Sequence, residues 1–127
     1  MANVRDWLPF KAKGAIGARK IVAFDNHAGN SGAVTGEALQ ANGANAASFG
    51  VSGTRAVAAG ETVEVAAPGY VAQVIFGGAV KIGDLLTSDS DGDAVATTAA
   101  GARIVGIATT DGVANDIGEV LVSPGSV

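Results

Sequence analysis

The sequence predicts an all-β fold, a small β-barrel or β-sandwich. Three observations carry this. The 127 residues hold 16 Val and 7 Ile against 5 Leu, and β-branched side chains suit a pleated surface. Short apolar runs are broken about every eight to twelve residues by Gly, Asn, Asp or Pro, the spacing of a small sandwich or barrel. No window gives an amphipathic helix; residues 37–47 are Ala-rich, but Asn42, Gly43 and Asn45 interrupt them.

The expected strands are 19–24 (RKIVAF), 37–41 (EALQA), 47–52 (ASFGVS), 62–67 (TVEVAA), 70–76 (YVAQVIF), 84–88 (DLLTS), 93–98 (DAVATT), 103–109 (RIVGIAT) and 118–123 (GEVLVS). In TVEVAA, Val63 and Val65 alternate with Glu64, the period-2 pattern of a strand with one buried face.

The chain also resembles itself. Residues 36–69 align without a gap on 92–125, with ten of 34 positions identical, among them Gly50/Gly106, Val57/Val113, Pro68/Pro124 and Gly69/Gly125. So biased a composition gives about three by chance. Upstream, GAIGARKIVAFD (14–25) aligns on GAVKIGDLLTSD (78–89). The first copy reaches Gly36 from Asp25 through NHAGNSGAVT, whereas the second reaches Gly92 from Asp89 through Ser90-Asp91 alone. Two similar halves of four short strands follow, as pseudo-repeats 14–69 and 78–125 of one β domain, 14–127. Residues 1–13 form an N-terminal arm, which takes in the first half the place of YVAQVIFG in the second.

Composition excludes several classes of chemistry. Without cysteine there is no disulfide, thiolate zinc site or cysteine nucleophile. The single histidine, His27, excludes a multi-histidine cage within one chain. No run is long and apolar enough for a membrane span, and MANVRDWLPFKAKG has no apolar core of a secretory signal. Synthesis and retention in a cytoplasm are therefore expected, with no membrane partner. Residues 1–20 carry a net charge of +4 and the remainder −8, for −4 in all. An acidic body binds nucleic acid poorly, so no nucleic-acid partner is expected. An Ala-rich chain of this size buries a modest core, which association between copies would reinforce.

The candidate chemistry reduces to turns and contacts. Asp89, Asp91 and Asp93 fall at the first, third and fifth positions of a calcium loop, but Gly92 falls at the fourth and Ala100 at the twelfth. Asp91-Gly92 between apolar runs is instead a hairpin signal, because Gly accepts positive φ. A weak surface ion at the three aspartates stays open. His27, Asp25 and Ser31 share one Gly-rich loop that holds no rigid nucleophile or oxyanion hole. GVSG (50–53) and GGAVKIG (77–83) lack the Lys-Ser/Thr ending of a phosphate loop. Glu61 and Glu64 point to opposite faces of a strand. No catalytic constellation and no cofactor site emerges, and the chain is read as not an enzyme. Trp7 and Phe10 either dock on a neighbouring chain or close the bottom of the barrel.

The second half, GGAVKIGDLLTSDSDGDAVATTAAGARIVGIATTDGVANDIGEVLVSPG (77–125), resembles tailed-bacteriophage capsid cement, or head decoration, proteins. Gly-Gly-Ala-Val, Gly-Asp-Leu-Leu-Thr-Ser-Asp-Ser-Asp-Gly, Ile-Val-Gly-Ile-Ala and Gly-Glu-Val-Leu-Val-Ser-Pro-Gly carry the likeness, with ARKIVAF and AAGETVEV extending it over most of 14–125. The 26–35 loop is longer than the family pattern. The resemblance implies a non-enzymatic protein on the outer capsid surface of the virion, a homotrimer as is common in that family, bridging neighbouring subunits of the major capsid protein. Arg5, Trp7, Phe10, Lys11 and Lys13 of the arm, with His27 and Asn30 of the long loop, are the expected contacts. Deleting residues 2–13 is expected to abolish capsid binding and spare the fold. The alternative is a virion- or cell-surface β-module that binds carbohydrate or a receptor.

Overall fold

The computed structural model of the chain describes residues 7–25 and 36–127. Among them there is no helix. The strands are β1 (Trp7–Lys11), β2 (Ile21–Phe24), β3 (Ala38–Gln40), β4 (Ser48–Val51), β5 (Thr62–Ala66), β6 (Val71–Ile75), β7 (Leu85–Ser88), β8 (Ala94–Ala96), β9 (Arg103–Ala108) and β10 (Ile117–Ser126). They form a five-stranded sheet ordered β6-β10-β9-β7-β8, a three-stranded sheet β3-β2-β4 and a two-stranded sheet β1-β5. None closes on itself. Of the two architectures expected, the molecule has the small β-sandwich and not the barrel. Its short strands divide among three separate sheets, with register shifts between Val22 and Ala23 and between Val122 and Gly125.

The same ladders occur twice. Ile21 pairs with Val51 as Leu85 pairs with Ile107, and Val22 with Gln40 as Leu86 with Ala96. Parallel bridges join Ala12 to Ala38 and Phe76 to Ala94. The bonds Ser52 N to Lys20 O and Ala108 N to Asp84 O also correspond. One correction to the gapless alignment follows. Ile16 exchanges backbone bonds with Val57, whereas Val80 exchanges them with Gly112, so Val57 is equivalent to Gly112 and not to Val113. The shift brings Glu64 over Glu119 and Val65 over Val120. Left-handed backbone recurs at equivalent positions too, at Arg19 (φ 56°) and Gly83 (φ 91°).

Strand β1 lies within the segment expected as an arm. It pairs antiparallel with β5 from Trp7↔Ala66 to Lys11↔Thr62, as β6 pairs with β10. Trp7, Pro9 and Lys11 face out, while Leu8 and Phe10 are half-buried. Pro9 removes one ladder donor, which an edge strand tolerates. Ala12 is fully buried. Deleting residues 2–13 would therefore strip β5 and open the core, so the deletion does not spare the fold.

Two cores result. The larger joins Ile21, Val51 and Ala66 of the first half to Val74, Phe76, Val105, Val120 and Val122 of the second. The smaller belongs to the first half and holds Ala12, Ile16, Val22, Val57, Val63 and Val65, with Phe10 and Phe49 against it. The halves fill equivalent space from opposite sides. The first sets Val57 and Val63 around Ala12; the second sets Gly112 and Gly118 around Phe76, whose ring occupies the place a Cβ on either glycine would take.

Candidate contact surface

The outward residues of β1 begin the surface. Trp7 is 39% exposed and lines an open groove of about 350 Å³ with Gly53, Thr54, Arg55, Val57 and Glu64. The groove exists because β1 and β5 run side by side and the 53–57 turn rises beside them. An indole with an acid and a guanidinium at hand can pack on an apolar group and fix a polar one.

Phe10 is on the other side of β1. Its ring meets Phe24 edge-on at 5.7 Å and Phe49 at 4.9 Å, and Phe24 stacks on Phe49 at 3.8 Å and 10°. Phe24 is 41% exposed, so the cluster caps the smaller core incompletely. The sequence reading missed Phe24 and Phe49. The signal was present in the repeat, where they stand opposite Ser88 and Val105.

The two lysines are engaged within the chain. Lys11 Nζ lies 3.9 Å from Glu37. Lys13 Nζ donates to Asp25 Oδ2 at 2.7 Å. That hydrogen bond, then the charge of Asp25, raises the Lys13 pKa above its ordinary 10.5. Arg5, His27 and Asn30 lie outside the described residues.

The three aspartates form a tight turn. Asp89 Oδ1 accepts from Asp91 N and Asp93 N, both at 2.9 Å. Gly92 takes φ 78°, and a Cβ there would sit 2.7 Å from Gln40 Cγ. The turn also joins the halves: Lys20 Nζ donates to Asp93 Oδ1 at 2.6 Å, Gln40 Nε2 to Asp91 O at 2.8 Å, and Ile21 N to Gly92 O at 2.8 Å. One carboxylate oxygen from each aspartate lies within 4.8 Å of the others, but Asp89 and Asp93 already serve the turn and the join.

What remains is a β-sandwich whose outward features are an indole groove, an aromatic face and a strand edge where lysines pair with acids. The profile of the phage cement protein family matches residues 5–124. The chain belongs to that family. With membership comes a structural role in the phage capsid, and association with the virion. Among solved structures, the head fibre gp8.5 N base of bacteriophage phi29 is similar in fold, with a TM-score of 0.65 over 95% of this chain and 96% of that one, at 22% identity. No curated protein sequence matches the chain.

Proposed function

We propose that this cement protein binds the outer surface of an expanded phage head as a homotrimer. There it bridges neighbouring major capsid subunits and stabilises the shell without catalysis. The observation that carries the reading is the family match over 5–124, nearly the whole chain. Trp7, with Arg55 and Glu64 beside it, and Lys11 on the same outward edge give the contact its apolar anchor and its charge. Arg5, Lys13, His27 and Asn30 remain proposed contacts, with Phe10 supporting from within the fold. Each contact is weak, but symmetric repetition makes detachment require several to break together.

Co-sedimentation with heads lacking the protein tests this. Trp7→Ala and Lys11→Glu should each lower head occupancy at least about tenfold at limiting protein, the effect of losing one interface anchor, while melting unchanged. Full occupancy by both variants would overturn the contact assignment.

One observation favours a second reading. An exposed indole beside a carboxylate and a guanidinium is also a form of sugar or receptor site. A glycan array probed with the native protein and Trp7→Ala decides it: a glycan bound only by the native protein supports the alternative, and a blank array removes it.

A further inference from the structure

The two halves are joined head to tail, and among the described residues the join leaves one unmatched face at each end. In the first half a row of paired residues, Trp7–Ala66–Val51–Ile21, crosses β1, β5, β4 and β2. Ala66, Val51 and Ile21 are buried in the core shared with the second half. The equivalent row of the second half is Val71–Leu121–Ile107–Leu85, across β6, β10, β9 and β7. It faces outward: Val71 is 54% and Ile107 36% exposed, and a groove of about 500 Å³ lined by Leu85, Thr97 and Val127 continues it.

The receiving face shows the converse. In the second half it includes Val74 and Val105, fully buried in the same core as the first half's row. Their equivalents in the first half are Phe10 and Phe49, with Phe24 at the position of Ser88. Among the described residues no second row covers them, and their own rings are the cap.

We infer that these two faces meet between molecules: the Val71–Leu121–Ile107–Leu85 row of one copy docks on the Phe10–Phe24–Phe49 face of the next, repeating between chains the join that each chain makes within itself. The occupant is a second copy because the chain already holds a matched example of this contact. A heterologous contact of this kind closes into a ring when its rotation allows. The rim differs from the internal one. Asp84 stands where Lys20 stands, and Glu37, with Lys11 at 3.9 Å, stands where Asp93 stands. Lys11 is the cation this rim offers to Asp84.

The inference deepens the proposal that the protein acts as an oligomer, and it is tested apart from the shell. Light scattering should show the native protein assembled, and Ile107→Glu and Phe24→Glu each reduced to monomer. An equimolar mixture of the two variants should give a dimer and nothing larger, because one intact row meets one intact aromatic face. Circular dichroism checks folding; Phe24→Ser, the residue at the equivalent position of the second half, replaces Phe24→Glu if that variant unfolds. A native monomer up to millimolar concentration, unchanged assembly in both variants, or a mixture that stays monomeric would each overturn the inference. Head co-sedimentation of the same samples separates the two readings. A native protein that is monomeric yet binds heads sinks the docking mode alone; a native assembly that ignores heads sinks the capsid reading alone.

Discussion

Lys20 Nζ and Asp93 Oδ1 lie 2.6 Å apart, and the pair ties the first half of the chain to the second. Both side chains are largely shielded from solvent, with Gln40 bonding the same turn from the same side. Lys20→Met leaves the Asp93 carboxylate without its cation. It should cost about 1–2 kcal/mol in urea unfolding, as expected for a shielded charge stripped of its partner. A cycle with Asp93→Asn should return a coupling of about 1 kcal/mol. Additive single effects would mean the pair does not hold the halves together.

The aspartate turn predicts unequal costs from similar residues. Asp89 accepts two backbone N–H groups, whereas the Asp91 side chain is exposed. Asp89→Ala should destabilise by about 1–2 kcal/mol, the range for losing a cap-like acceptor. Asp91→Ala should stay within about 0.5 kcal/mol. Isothermal calorimetry should detect no micromolar calcium binding; a micromolar site abolished by Asp91→Ala would reverse the reading of this stretch.

Equivalent cores filled from opposite sides predict compensation. Gly118→Val forces a side chain into the space of the Phe76 ring and should cost about 3 kcal/mol or more. Phe76→Ala empties that space, at about 3–5 kcal/mol. The double variant rebuilds the arrangement of Ala12 and Val63 in the first half. Its destabilisation should fall below the sum of the singles by at least about 2 kcal/mol in thermal or urea unfolding. Additivity would show that the two halves are not packed as equivalents.

The Lys13–Asp25 pair predicts a proton shift. The Lys13 pKa is raised in the folded protein, so whatever stability the pair gives is fully present below the ordinary 10.5 and is lost as pH rises through the higher folded value. Asp25→Asn should lower the Lys13 pKa toward 10.5, read by NMR of the lysine side chain. An unchanged Lys13 titration would deny that Asp25 is the cause.

The nine strands expected from 19 to 123 were legible because their apolar runs end at Gly, Asp or Pro and their β-branched residues sit on a pleat. Strand β1 was harder to see, because Pro9 interrupts its pattern and its partner β5 lies about fifty residues away. The one-residue slip after Ser52 was hidden by Pro68-Gly69, which matches Pro124-Gly125 only because the Val122–Gly125 bulge restores the count. Of the site, Trp7 stood out in the sequence as a residue that either docks or closes the fold, and the structure exposes it. The cluster of Phe10 with Phe24 and Phe49 was not, since those rings meet only when three strands are laid together. Arg55 and Glu64 likewise become neighbours of Trp7 only through the fold.

A protein that reinforces a phage head raises the temperature at which the head breaks. The most direct test is the rupture temperature of heads lacking the protein, followed by DNA release, with and without saturating purified protein. Saturable binding and a higher rupture temperature are expected, with both effects weakened together by Trp7→Ala. Heads that rupture at the same temperature while the protein stays in the supernatant would contradict it.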